Sequence, residues 1–365
     1  MSTVLPPPVA SAAEPDTHAA PRAPVVRAAR LRPAWLITGV ASVLVAGVAG
    51  LVVGPAHLAP VDVVRDLAGL HTGLGPQQVA IIEQIRLPRV VLGLLVGGTL
   101  SLCGASYQGV FRNPLADPYL LGAAAGAGLG VTVVIVGAAD GAATPAAAPI
   151  AAFAGALGAV ALAYGLGRAS GGRTSTASLI LAGVAVASFL TAVQTYVQQR
   201  NQDTIRQVYT WILGRLSTAG WHDVLVLLPY AVVTWIVLLA HRRVLDVLAV
   251  GDDEASTLGV HARRTRLVVI VAASLGTAAA VSVSGLIAFV GIIVPHTVRL
   301  LAGRSHRVVL PLSLLFGGAF LCVADLLART LSSPAEIPIG VVTAFFGAPF
   351  FILVLRSSRR LGVTS

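Results

Sequence analysis

The residues of this chain that are able to do chemistry are few and scattered. The run Asp252-Asp253-Glu254 has the acidity of a cation site, but no converging His or phosphate ligand accompanies it. The same three residues suit the N-terminus of a short helix, whose dipole favours negative charge, and that is the reading taken. Ser175, Ser282 and Ser284 have no identifiable base to activate them. Cys103 and Cys322 each sit inside an apolar run, which fits neither a disulfide framework nor a thiolate metal site. His296 lies in a mostly apolar stretch and reads as a satisfied structural histidine rather than a ligand. Neither H-E-x-x-H nor C-x-x-C occurs. All 25 basic residues are Arg. Without Lys there is no Walker A site, whose Lys reaches the β- and γ-phosphates, and no Schiff-base chemistry. The sequence thus predicts no catalytic residues, no metal and no cofactor.

The composition explains why so little is left for catalysis. Of 365 residues, 56% are hydrophobic and only 11% charged, against about 25% charged in a soluble domain. Such a chain cannot clothe a water-soluble globule and is predicted to be an all-α polytopic membrane protein. Ten apolar stretches approach the ~20 residues that cross ~30 Å of hydrocarbon: 34–54, 90–109, 119–138, 147–167, 177–198, 222–240, 267–283, 286–301, 308–328 and 338–355. Residues 1–33, rich in Ala and Pro, are expected to be a disordered cytoplasmic tail without a signal peptide. Residues 34–356 form the membrane domain, and 357–365 a short cytoplasmic tail. Eighteen of the 25 arginines fall on the tails and even-numbered loops, so both termini are predicted to be cytoplasmic. The net charge of +10 then follows from topology and gives no support for nucleic-acid binding.

The joints between these stretches carry their own signals. In Asn113-Pro114-Leu115-Ala116-Asp117-Pro118 two prolines forbid a continuous helix; Asp117 is placed to cap the next one and Pro118 to open it, although a plain tight turn explains the same residues. Pro295 is expected to kink or end its helix, and Glu336-Ile337-Pro338 to start the last. The longest cytoplasmic loop, about 241–266, reads as two short helices ended by Gly251 and Gly259. Its Leu245, Leu248 and Leu258 need cover from some partner. Asp325 is the deepest charge and makes a poor relay alone, so an ion-coupled carrier is disfavoured and an external energy source expected.

Taken in order, these motifs resemble the FecCD-type permeases, the membrane subunits of type II ABC importers for ferric siderophores, haem and cobalamin. The resemblance rests on Arg86-Leu87-Pro88-Arg89, Gly104, Gln108, the 113–118 turn and Leu121-Gly122. It continues through Leu181-Ala182-Gly183-Val184, Trp211 and Gly214, the 251–259 segment, and Gly285 through Gly291 leading to Pro295-His296 and Arg299. Asp325, Arg329, Glu336 through Gly340, and Gly347-Ala348-Pro349-Phe350 complete it.

The resemblance implies ten transmembrane helices, a permease dimer formed by a second copy or a related subunit, two ABC ATPase subunits and an extracytoplasmic substrate-binding protein. It implies outward-facing Arg86, Arg89 and Arg329 that meet carboxylates of the binding protein, which the bidentate Arg fork suits; interfacial snorkelling or helix-end capping is the competing account. It implies a cytoplasmic gate of Asn113, Leu115, Ser175 and Thr176, set against ordinary turn structure. It implies an ATPase-coupling segment including Gly251, Asp252, Glu254, Leu258 and Gly259. Pro114, Asp117, Pro118, Pro295, His296 and Pro338 are structural parts of the pattern. The expected function is transport of a bulky iron chelate, a ferric siderophore, across the cytoplasmic membrane, with cobalamin or haem as the alternative cargo. A secondary carrier and an intramembrane enzyme are the competing classes.

Overall fold

The computed structural model describes residues 31–54, 59–70, 73–138, 146–169, 176–214, 216–333 and 335–361; Ser175, most of the N-terminal tail and residues 362–365 lie outside this set. All regular structure among the described residues is helical. Helix α1 spans Pro33–Val52, α2 Pro60–Leu67 and α3 Pro76–Ala80, and a π-helical turn at Ile81–Arg86 leads into α4, Leu87–Phe111. Next come α5 (Ala123–Gly137), α6 (Ala147–Ala169), α7 (Thr176–Arg200), α8 (Ile205–Ile212) and α9 (Trp221–Ala240). They are followed by α10 (Arg242–Val250), α11 (Asp252–Thr257), α12 (Ala262–Ser284), α13 (Val290–Ala302), α14 (His306–Thr330) and α15 (Ile339–Leu361).

Among the described residues, seven helical rods are long and apolar enough to cross a membrane: α1, the continuous α3–α4 rod, α6, α7, α9, α12 and α14. Three apolar helices are shorter, namely α5, α13 and the Ile339–Val354 part of α15. Each of the ten apolar stretches overlaps one of these helices, but three of the helices fall short of the ~20 residues that a straight crossing needs.

The centre of the bundle is α4. Its sequence interleaves Leu and Val with Gly93, Gly97, Gly98, Ser101, Gly104, Ala105 and Gly109, so no face is bulky or charged along most of its length. Small residues let neighbouring backbones approach closely, and a helix apolar all round is buried all round. Accordingly α4 is enclosed by α14, α12, α13 and α9, with α14 its principal neighbour. At Gly97 a Cβ atom would overlap the Gly317 carbonyl of α14, and at Gly104 it would overlap the Gly291 carbonyl of α13. The outer helices are built oppositely. Ile37 and Val45 of α1, Leu181 and Phe189 of α7, and Leu225 and Ile236 of α9 are each more than 60% exposed. Apolar surface on that scale is unfavourable in water and requires a hydrocarbon surround.

The structure corrects three readings of the joints. Helix α5 begins at Ala123, not 119, because Gly122 is in the left-handed region at φ +83°. Asp117 therefore caps a turn, accepting from Tyr119 N at 2.7 Å, instead of capping a helix. Likewise α13 begins at Val290, after a non-helical stretch from Gly285 whose Ile287 N donates to Tyr119 Oη at 3.2 Å while Tyr119 Oη donates to Ile287 O at 3.0 Å. Pro295 neither starts nor ends α13 but lies within it. A proline there leaves the carbonyl four residues back, that of Gly291, without its helical donor. Gln108 Nε2 supplies one at 2.9 Å. Pro338 immediately precedes α15, as the Glu336-Ile337-Pro338 signal predicts.

Replacing Gly104 by Leu is expected to destabilise the bundle by about 1–3 kcal/mol or more through overpacking. Gly158→Leu, where nothing lies within 4 Å of the added Cβ, should leave thermal unfolding in detergent unchanged. Equal melting curves for the two variants would contradict the α4–α13 packing.

Candidate functional site

Two charged clusters stand at opposite ends of the antiparallel α4–α14 pair. At the N-terminal end of α4, three arginines converge. Arg86 Nη1 donates to Leu51 O at 2.7 Å and Val52 O at 2.9 Å, taking up carbonyls that the end of α1 leaves without helical donors. Arg89 forks in two directions. Nε and Nη2 donate to the Asp325 carboxylate at 2.9–3.1 Å. Nη1 and Nη2 donate to Glu336 at 2.9 Å each. Arg329 Nη2 donates to Gly50 O at 2.6 Å, with Nε 3.9 Å from Asp325. A planar guanidinium with five donors suits this arrangement, because it presents two nitrogens to each carboxylate at once.

The arginines expected to face outward are instead buried, with 4%, 8% and 4% of Arg86, Arg89 and Arg329 exposed. Each is turned toward its own chain. Glu336 is the more open member, and the hydrogen bonds and charge of Arg89 hold its carboxyl below the usual range despite partial burial. The pairing of Arg89 with Asp325, 236 residues apart, could not be read from either local motif.

At the other end of α4 the chain turns through Arg112, a left-handed residue at φ +49°. Asn113 Oδ1 accepts from Leu115 N at 2.9 Å, so its side chain is spent within the turn. Pro114 is exposed and Pro118 is buried, packing against Gly291. Gln108 closes the turn: Nε2 also donates to Ala116 O at 3.1 Å, and Oε1 accepts from Arg299. His296 stands edge-on to Phe350, with ring centroids 5.8 Å apart. Thr176 lies on a cavity of about 700 Å³ with Phe111, Arg168 and Arg266. Asn113 and Leu115 form no hydrogen bond to Thr176 among the described residues.

The segment α10–α11 is strapped to this end. Asp252, at the first position of α11, receives Arg266 Nη1 at 2.7 Å and Nη2 at 2.6 Å, and also pairs with Arg112. Arg112 Nε donates in turn to Leu248 O at 2.8 Å. The expectation that Leu245, Leu248 and Leu258 need an external partner is corrected for the first two, which are fully buried where α10 packs on α4 and α14. Leu258 is 69% exposed and Val250 73%. Gly259, at φ +75°, follows α11, and a Cβ at Gly251 would fall on the Glu254 carboxylate.

A second strap was not apparent from the sequence. Asp246 of α10 accepts from Ser305 Oγ at 2.6 Å, His306 N at 2.6 Å and His306 Nδ1 at 2.9 Å, which fastens α10 to the first turn of α14. The only local signal is Ser305 as a helix cap, accepting from Arg307 N. Burial disfavours the ionised form of both Asp246 and Asp252. It is outweighed at Asp246 by hydrogen bonds from His306 and Ser305, and at Asp252 by the hydrogen bonds and charges of Arg266 and Arg112, so both carboxyls titrate below their ordinary range. No group of three or more His, Cys, Asp or Glu side chains is gathered for a metal among the described residues.

A many-helix apolar bundle with a strapped helical segment at one end suits a membrane transport subunit. The model of the FecCD transport family matches residues 42–357, and the chain belongs to that family. It is 44% identical over 296 residues to the cobalamin import system permease protein BtuC of Halobacterium salinarum, covering 79% of this chain and 77% of the relative. It is 39% identical to the ABC transporter permease protein YvrB of Bacillus subtilis, covering 92% and 97%. It is 40% identical to the hemin transport system permease protein HmuU of Yersinia pestis, covering 76% and 83%. Among solved structures, an inward-facing conformation of a metal-chelate type ABC transporter superposes with a TM-score of 0.79 at 29% identity, covering 89% of this chain and all of that one. The chain is thus a multi-pass permease subunit of an ABC importer.

Arg89→Leu, which leaves buried Asp325 with only the 3.9 Å contact to Arg329, is expected to cost about 3–5 kcal/mol, and Asp325→Asn in the same chain to recover most of it. A thermal-unfolding double-mutant cycle with simple additivity would remove the coupling. The folded state depresses the pKa of Asp246 and Asp252. The stability they confer is therefore complete above the unfolded carboxylate value of about 4 and is lost as pH falls through their lower folded values. The opening free energy of α10 and α11, taken from hydrogen exchange after correction for the intrinsic pH-dependent rate, should stay flat from about pH 7 to 5 and fall below about 4.

Proposed function

We propose that this permease crosses the membrane ten times with both termini in the cytoplasm, and that it carries a bulky iron chelate, a ferric siderophore, inward. It pairs with a second copy or a related permease, binds two ABC ATPase subunits on the cytoplasmic side, and receives cargo from an extracytoplasmic binding protein. The observation that carries this reading is the α10–α11 segment. Its exposed Val250 and Leu258 offer an apolar contact, its acidic turn at the start of α11 is tied through Asp252 to the ends of α4 and α12, and Asp246 ties α10 to α14. A push on that segment by an ATPase would be delivered directly to the three central helices.

Short helices support the crossing assignment. The non-helical stretches before α5 and α13 are held by Gln108 and Tyr119, and irregular backbone at membrane depth is tolerated where protein satisfies it. Such broken helices are also where carriers place their cargo route. Of the residues assigned to the gate, Asn113, Leu115, Ser175 and Thr176, it is Thr176 that lines the 700 Å³ cavity. On the external side, the Arg86–Arg89–Arg329 cluster would fix the Glu336 loop as the landing place of the binding protein. Direct ion pairs to that partner would require Arg89 to leave Asp325 and Glu336, and Arg86 and Arg329 to leave the carbonyls at the end of α1.

The cobalamin permease at 44% identity favours a second reading in which the cargo is a corrinoid. Direct binding of ferric siderophores, haem and cobalamin to the cognate binding protein separates the two.

In proteoliposomes containing the permease and its ATPase, cargo uptake is expected to require ATP and to be blocked by vanadate. Charge reversal by D252R with E254R should reduce it about tenfold, within the range of ordinary coupling energies. Uptake that persists without the ATPase under a proton gradient would overturn the reading, and unchanged ATP-driven uptake in the double variant would remove the coupling assignment.

A further inference from the structure

Beside the α10–α11 segment lies a groove that borders the coupling residue Gly259 and shares Arg168 and Arg263 with the Thr176 cavity, but whose apolar length has no role so far. One part, about 770 Å³, runs between α6 and α12 and is lined by Leu157, Val160, Ala161, Ile270 and Val271. The adjoining part, about 570 Å³, is lined by His261, Arg263 and Arg264 at the start of α12. Tyr164, Arg168 and Leu267 line both, so the two form one continuous groove with an apolar length and a basic mouth. Along α6 the apolar length extends from Leu157 to Arg168, about 16 Å at 1.5 Å per residue. That is about half of the ~30 Å hydrocarbon thickness, the depth of one leaflet.

The lining selects the occupant. Ser274, a polar side chain in the apolar part, is already bonded to Tyr107 Oη at 2.6 Å and Ile270 O at 2.7 Å, so it offers a polar solute little. Leu267 and Val271 are 39% and 56% exposed, which leaves the groove open along its flank to surrounding lipid. At the mouth, Arg168 lies over the Tyr164 ring, 5.9 Å from its centroid. Arg168, Arg263 and Arg264 form no salt bridge among the described residues. Asp252 and Asp253 line the neighbouring cavity, but Asp252 is already committed to Arg112 and Arg266.

We propose that this groove is a binding site for one anionic phospholipid, with an acyl chain between α6 and α12 and the headgroup phosphate held by Arg168, Arg263 and Arg264. The site rests on the topology proposed above, which places this end of α6 and α12 at the cytoplasmic leaflet. Arginine forks suit phosphate oxygens, and basic pockets between helices on that side are where anionic headgroups are recognised. Because α12 begins four residues after Leu258, a bound lipid would brace the helix that receives the coupling strap.

The test uses the permease–ATPase complex in nanodiscs of phosphatidylcholine and phosphatidylglycerol, with retained lipid read by native mass spectrometry. Wild type is expected to retain phosphatidylglycerol well above its share of the mixture. R168Q with R263Q should reduce that enrichment roughly fivefold per arginine, and R168K with R263K should keep it. Ala161→Trp, which fills the apolar length without touching the charges, should release the lipid as well. Retention in proportion to the mixture, or enrichment unchanged by the glutamines, would overturn the site. Loss of ATPase association with lipid enrichment intact would assign the arginines to the protein partner and also overturn it. Lipid retention is measured without transport, so failure of the importer reading, seen as ATP-independent uptake, remains a separate result.

Discussion

The close contact of α4 with α14 is the constraint on which the rest of the structure depends. Gly97 and Gly317 bring the two backbones to a distance that no Cβ permits. The pair is then fastened at both ends. Arg89 grips Asp325 at one end, and at the other the ring of His306 sits over Gly109, where a Cβ would lie 2.6 Å from Nε2. Because α14 is held rigidly against α4, anything bound to its first turn acts on its far end. Asp246 is bound to that first turn. A path of direct contacts therefore runs from α10 through α14 to the arginine cluster that secures α1 and the Glu336 loop.

A second constraint is the absence of water. In hydrocarbon a backbone polar group without a partner costs several kcal/mol, yet this chain breaks its helices at Pro114–Gly122 and Gly285–Phe289. Each break is answered by a side chain from elsewhere. Gln108 serves three groups at once, the carbonyls of Ala116 and Gly291 and the guanidinium of Arg299. Tyr119 does the same for Ile287. Similarly, the prolines and glycines that shape the joints are tolerated because polar side chains converge where the ladder fails.

The straps at Asp246 and Asp252 differ from the cluster around Arg89 in their exposure and hence in their role. Arg89 and Asp325 are almost fully enclosed, which makes the pair costly to open and suited to fixing a geometry. Asp252 is about half exposed and shared between two arginines, so the α10–α11 segment can be reoriented at modest cost. A subunit that must yield to a partner at one end and hold its shape at the other needs this asymmetry.

By itself, the sequence determined the medium, the class and the division of labour. Low charge and long apolar runs admit only a hydrocarbon surround, the ordered motifs place the chain in its family, and the lack of Lys leaves ATP hydrolysis to another subunit. These are properties of composition and local pattern, and they survive without coordinates. What the arginines meet within the chain was visible only in the tertiary structure. Read singly, Arg86, Arg89 and Arg329 offer forks for a partner's carboxylates, and the fold brings Asp325, Glu336 and the end of α1 beside them. Asp246 gives no signal in its own segment because His306 lies 60 residues away, and Gln108, although part of the family pattern, does not disclose its bond to Gly291, 183 residues away. Local pattern reports what a residue prefers, whereas burial and pairing across the bundle decide what it meets.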